Sequence, residues 1–201
     1  MRKPPHHPRD FVRPVVPTSA PAPPRRASLA GLAFLALLLL MLALKTYKTH
    51  HAGLIYDEAA NARRYANSVH QALTAFDRPG NHILNSIFVY YARRLFPSYE
   101  HSIRIPSLLA GLIFSLASAC LLWRLIASWP LRLLALPFLN LVPSVFDYSF
   151  LARGYAFALP AFLLQILCVL HCLDRPVRFR YAPLVLLILA ALNFLITGLR
   201  L

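Results

Sequence analysis

Apolar positions along this chain fall into five long runs, with a stretch of a different period between the first two. The runs cover 28–44, 105–127, 131–147, 154–173 and 181–199. A helix that crosses a bilayer needs roughly 20 mostly apolar residues, within a range of about 17–25. The run at 131–147 is the weakest, because Pro137 and Pro143 interrupt it. Lying between two clear spans, it reads as a kinked membrane helix. The run at 28–44 is too long for the apolar region of a signal peptide, and no small-residue cleavage pattern follows it, so it reads as a retained helix.

Between 45 and 104 the period changes. In DEAANARRYANSVHQALTAF the apolar residues Ala62, Tyr65, Ala66, Val69, Ala72, Leu73 and Phe76 recur at three- and four-residue intervals. That is the stripe of an amphipathic helix. Asp57 and Glu58 stand at its start, where free N–H groups and the helix dipole favour carboxylates, and Arg78-Pro79-Gly80 should end it. A second amphipathic run, NHILNSIFVYYARRLF, puts Leu84, Ile87, Phe88, Tyr91 and Leu95 on one face. It is too short to span and carries Arg93 and Arg94. Both are predicted to lie on the outer membrane surface.

Composition narrows the class. The chain is 58% hydrophobic and 14% charged, against about 25% charged in an ordinary soluble domain. Mean hydropathy is +0.56. A water-soluble globule and a disordered chain are both excluded, and three cysteines make no disulfide framework. The expected fold is an all-α polytopic membrane protein: about five transmembrane helices, with two amphipathic surface helices in an outer loop at 45–104.

Charge orients it. The tail at 1–27 has eight prolines and six Lys/Arg against one acid, Asp10, and is expected to be a disordered cytoplasmic segment. Five spans then place Arg124, Arg132 and the DRPVRFR loop (174–180) on the inner side. Asp57, Glu58, Asp77, Glu100 and Asp147 fall outside, and only Asp10 and Asp174 inside. The expected location is the plasma (inner) membrane, multi-pass, with the N-terminus cytoplasmic. The formal charge of +14 flanks spans, so the partner it implies is the lipid bilayer and not nucleic acid.

Four stretches then stand in a suggestive order: YDEAANARRYA (56–66), PGNHILNSIF (79–88), LFPSYEHSIRIPSLLAG (95–111) and DYSFLARGYAFAL (147–159). Together they resemble the GT-C class of integral-membrane glycosyltransferases, in particular the bacterial branch related to protein O-mannosyltransferases and aminoarabinose transferases. The resemblance implies that Asp57 and Glu58 belong to a first outer loop holding the catalytic acid. It implies a second outer loop at 147–155, a polyprenyl-phosphate sugar donor, a glycan, lipid or protein acceptor, and chemistry at the outer face. Members of the class usually have about ten or more spans, so the chain is expected to be an N-terminal portion or a truncated product. Many relatives also carry an acid two residues before the loop arginine, where Leu151 stands here; Asp147 is the candidate second-loop acid.

Glycosyl transfer from a lipid phosphate needs a base for the acceptor hydroxyl, and cationic groups or a metal for the leaving phosphate. Asp57 is the candidate base, with Glu58 as second carboxylate; the pair would be the place for a divalent metal ion. The plain alternative is a capping pair on a surface helix. Arg153 suits a phosphate or snorkels to the interface, and Arg104 has the same two readings. His82 and Tyr155 are candidate substrate contacts, His82 being equally readable as structural. His50-His51 read as polar-linker residues rather than metal ligands. Cys168, His171 and Cys172 read as a buried helix end with reduced thiols. The competing function is a non-catalytic membrane protein: a family remnant or a transport or assembly subunit. Apart from Asp147 at the very end of one run, the apolar runs contain no acid, which argues against a midplane transport site.

Overall fold

The computed structural model describes residues 25–75, 81–96, 98–174, 185, 187 and 188. Among these the chain is all-α, in eight helices: α1 (Arg25–His51), α2 (Tyr56–Tyr65), α3 (Val69–Thr74), α4 (Ile83–Leu95), α5 (Tyr99–Leu125), α6 (Trp129–Leu141), α7 (Pro143–Tyr148) and α8 (Tyr155–Asp174). Three stretches are long and apolar enough to cross a bilayer: Leu29–His51, Tyr99–Leu125 and Tyr155–Asp174. The protein is therefore a helical membrane protein. The tail at 1–24, the helix stop at 78–80, Asp77, the arginines of DRPVRFR and nearly all of the run at 181–199 lie outside the described residues.

Three boundaries differ from the sequence expectation, each for a physical reason. First, α1 runs past 44 to His51 and α5 begins at Tyr99 instead of 105, so both long helices reach into the stretch expected as outer loop. Second, the run at 131–147 is two helices and not one kinked one. Proline disfavours helical geometry at the residue before it, and Val142, before Pro143, is extended at φ −52° and ψ 124°. Third, the first amphipathic run divides. Ser68 breaks it and caps a new helix, its hydroxyl accepting from the Gln71 N–H at 3.0 Å. The two expected surface helices are thus three short ones.

Helix α5 is the hub, packing against α1, α4, α6 and α8. Its buried positions are mostly small: Ser102, Ser107, Ala110, Gly111, Ser115, Ala117, Ser118 and Ala119. Small residues let backbones approach where lipid removes the hydrophobic drive between helices. Gly111 shows the limit, since a Cβ there would meet the Ser149 backbone at 2.9 Å. That close approach seats the α7–α8 connection on α5. Leu29, Leu32, Leu35 and Leu39 of α1 and Leu109, Ile113 and Leu116 of α5 are exposed. In water such a belt would be a liability; in a bilayer it is the lipid-facing surface.

A buried cation stitches the bundle. Lys45 of α1, fully buried, donates to Gly111 O at 3.2 Å, Ser115 Oγ at 2.7 Å and Asn140 Oδ1 at 2.9 Å. It lies 5.3 Å from the Phe114 ring centre. A charge inside a span needs such partners, and these tie α1 to α5 and α6.

The two ends of the bundle differ. At one, Trp123 and Trp129 meet edge to face, and the Arg132 guanidinium lies 4.7 Å over each ring. Arg124 there pairs with Asp174. Tryptophan and arginine belts of this kind sit at membrane–water interfaces. The other end carries α2, α3 and α4.

Candidate functional site

The α2–α4 end is where the charged candidates converge. Helix α2 opens after Ile55, and its second and third residues are Asp57 and Glu58. Successive residues on a helix point about 100° apart, so one carboxylate turns into the protein and the other out of it.

Glu58 turns in. Its side chain is 0% exposed, and that of its partner Arg104 is 2%. Oε1 accepts from Arg104 Nε at 3.1 Å and from the Ala152 N–H at 2.6 Å. Oε2 accepts from Arg104 Nη2 at 2.5 Å and from the Ile55 N–H at 3.0 Å. The last contact is one half of a capping box. Arg104 also donates to Ala52 O at 2.5 Å and Gly53 O at 2.7 Å. One buried pair thus fastens the end of α1, the start of α2, the first part of α5 and the α7–α8 connection. A fork-on-fork Arg–carboxylate pair with its remaining sites filled is the arrangement that makes a buried ion pair tolerable.

Asp57 turns out. Its Oδ2 lies 3.3 Å from Arg153 Nη2, with side chains 64% and 37% exposed. The first loop and the α7–α8 connection, 96 residues apart, therefore meet twice: through Glu58 and Ala152 inside, and through Asp57 and Arg153 at the surface.

His82 and Tyr155 come together beside this pair, ring centres 4.8 Å apart and edge to face. His82 precedes α4 in extended geometry. Gly154 makes room for it, because a Cβ at 154 would stand 2.2 Å from the His82 side chain. Asn81 holds the approach to α4, donating to Ala72 O at 2.8 Å and Ala75 O at 2.9 Å. Tyr148 lies 5.3 Å from Tyr155, ring centre to ring centre.

Below the pair is a small crevice of about 10 Å³, lined in part by Glu58, Asn61, His82, Asn85 and Ala152. That is room for about one water molecule. Asn85 is buried, and its Oδ1 has no hydrogen-bond partner among the described residues.

The structure thus gathers Asp57, Glu58, Arg104, His82, Arg153 and Tyr155 at one end. Asp147 is exposed on α7, and no ion pair joins its carboxylate among the described residues. Arg104 is neither a free phosphate ligand nor a snorkelling residue; it is the buried partner of Glu58. The two carboxylates, expected as the place for a divalent metal, do not converge on one point: Glu58 is buried against Arg104 and Asp57 is exposed beside Arg153. Four donors fill Glu58 and its neighbour faces away, and among the described residues no group of three or more His, Cys, Asp or Glu is placed to hold a metal.

The amphipathic helices also do more than lie on a surface. Ala62, Ala66, Val89, Ile103 and Ala152 form a buried cluster joining α2, α4, α5 and the α7–α8 connection. Arg93, an oddity in an apolar run, lies 4.9 Å over the Tyr99 ring and reaches toward Ala62 O and Ala66 O at the end of α2.

Sequence reasoning missed the Ala152 N–H, Gly154 and the Lys45 network. Main-chain donors leave no trace in a sequence. Lys45 had a signal: a lysine at the rim of one apolar run, with Ser115 and Asn140 inside two others.

The fold and this site define an all-α membrane protein with a charged, two-loop surface at one end of the bundle. No family model, no curated protein and no solved structure matches the chain.

Proposed function

We propose that the protein is a membrane glycosyltransferase of the class its sequence resembles. It would move a sugar from a polyprenyl-phosphate donor to a hydroxyl acceptor at the outer face of the plasma membrane. The observation that carries this reading is the exposed Asp57–Arg153 contact at 3.3 Å, mounted on the buried Glu58–Arg104 joint. It puts a carboxylate and a guanidinium side by side and open to a membrane-borne substrate, on elements held in fixed relation.

The chemistry follows from the two charges. Arg153 exchanges its weak contact with Asp57 for the donor phosphate, which it binds through two parallel N–H donors. Asp57, released, accepts the proton of the acceptor hydroxyl as that oxygen bonds to the sugar's anomeric carbon. The anomeric C–O bond breaks, and the polyprenyl phosphate leaves with its charge against Arg153. Tyr155, 44% exposed, and His82 form the adjoining wall. The crevice admits no sugar, so the sugar lies on the open face above Asp57. Glu58 and Arg104 position Asp57 and do not touch substrate. The bilayer interface is the natural plane for a lipid-borne donor. Arg124 and Arg132 flank the short connection at the opposite end, and a cytoplasmic assignment of that short basic connection agrees with the positive-inside rule.

The test is transfer of radiolabelled sugar from a polyprenyl-phosphate donor. Asp57→Asn should slow transfer about 10²–10⁴-fold, the usual worth of a general base. A second reading has its own observation: Asp57 also occupies an ordinary N-terminal helix position, as in a non-catalytic membrane protein. Near-wild-type turnover by Asp57→Asn would favour an ordinary capping role for that residue.

A further inference from the structure

The ends of α1 and α5 bring two histidines face to face. His50 lies in the last turn of α1, and His101 in the first turn of α5. Their ring centres are 4.7 Å apart and the planes are tilted by 45°. Two imidazoles on one tetrahedral zinc, each with a Zn–N bond of about 2.0–2.1 Å, place their ring centres roughly 5 Å apart. The observed separation suits a shared ion, and the tilt departs from a parallel stack.

The surroundings fit ligands. Ser98 Oγ lies 2.7 Å from His101 Nδ1. A hydrogen bond at one ring nitrogen fixes the ring and leaves the other nitrogen available, which is the outer contact metal-binding histidines usually have. His50 is exposed at the end of its helix. Its neighbour His51 is engaged elsewhere, stacked on Tyr47 at 4.0 Å with Nδ1 2.9 Å from Tyr47 O. The pair His50–His101, and not the adjacent pair His50–His51, is therefore the candidate.

We propose that His50 and His101 form a two-histidine site for a borderline divalent transition metal such as Zn²⁺, independent of Asp57 and Glu58. No third His, Cys, Asp or Glu joins them among the described residues, so water or an external ligand completes the coordination. Nitrogen-only protein ligands suit zinc, copper(II) or nickel(II) rather than calcium or magnesium. The ion would pin α1 to α5 one helical turn before Arg104, tightening the joint that positions Asp57.

The test uses the full chain without a histidine tag, in lipid nanodiscs, with His6→Ala and His7→Ala to remove the other adjacent pair of its eight histidines. Zinc chloride is titrated calorimetrically, and thermal unfolding is followed with and without zinc. The expected result is a saturable one-equivalent isotherm and a rise in unfolding temperature. His50→Ala and His101→Ala should each weaken binding at least tenfold and remove the rise. Ser98→Ala should weaken binding about tenfold, as loss of an outer-shell contact does, and His51→Ala should change nothing. His50 is exposed, so its variant keeps the fold and the comparison stays open even where His101→Ala does not fold. Binding unchanged in His50→Ala, binding lost equally in His51→Ala, or no saturable binding at all would each overturn the site and leave the two rings as ordinary aromatic packing.

Discussion

Asp57 and Glu58 are neighbours on one helix turn, and each meets an arginine, yet the two pairs are opposite in kind. Glu58–Arg104 is buried, forked and filled on every side. Asp57–Arg153 is a single exposed contact at 3.3 Å. The difference teaches what burial does to an ion pair. Inside, two desolvated charges cannot separate without a large cost, so the pair becomes a permanent joint. At the surface, water and salt screen the attraction to about 0–1 kcal/mol, so the pair opens readily for another charged group. One turn of helix thus supplies both a rivet and an exposed charge pair that can open.

The sharpest way to break this contrast is to remove the buried charge. Glu58→Gln leaves Arg104 charged, buried and without a counter-ion, which should cost about 3–5 kcal/mol. Thermal unfolding in detergent or nanodiscs measures it. A loss below about 1 kcal/mol would mean water reaches the pair, and the contrast with Asp57 would vanish.

Next in size is Lys45, a third charge, buried without a carboxylate partner among the described residues. Lys45→Met keeps the apolar bulk but removes the ammonium from Gly111 O, Ser115 Oγ and Asn140 Oδ1, leaving Ser115 Oγ to donate to Asn140 Oδ1 at 2.6 Å without it. We expect a loss of about 1–3 kcal/mol, the worth of hydrogen bonds made by a charged group. Adding Ser115→Ala and Asn140→Leu should recover much of it, and the same unfolding assay reads both steps. If the single variant is as stable as wild type, the network is not what joins α1 to α6.

The smallest expected effect sits at the surface. Asp57→Asn should change stability by less than about 1 kcal/mol, while transfer activity falls as stated above. Comparing the two readouts on this one variant separates a reactive carboxylate from a structural one.

Much of the architecture was legible in the chain. Apolar runs of membrane length marked the three long helices, and the 3.6-residue stripe marked the helices between the first two of them. The breaks at Val142 and Ser68 were not foreseen, because the apolar run and the helical stripe each continue straight through them. Only the local stereochemistry before Pro143, and a serine free to cap, decide where a helix stops. The candidate residues Asp57, Glu58, Arg104, Arg153, His82 and Tyr155 were all picked out by type and position, but their roles were not. Arg104 looked like a snorkelling residue or a phosphate ligand because nothing in its neighbours in sequence announces a partner 46 residues away.

The sequence by itself determined that this is a helical membrane protein, and that Asp57 and Glu58 start a helix. Both follow from local chemistry: the length of an apolar run and the preference of carboxylates for a helix N-terminus. Only the tertiary structure decided which carboxylate would be a joint and which a surface group, that Lys45 would be buried among α1, α5 and α6, and that His50 would face His101. Those outcomes depend on which distant groups pack around each side chain, and desolvation, which sets the strength of a charge's interactions, exists only once that packing has formed.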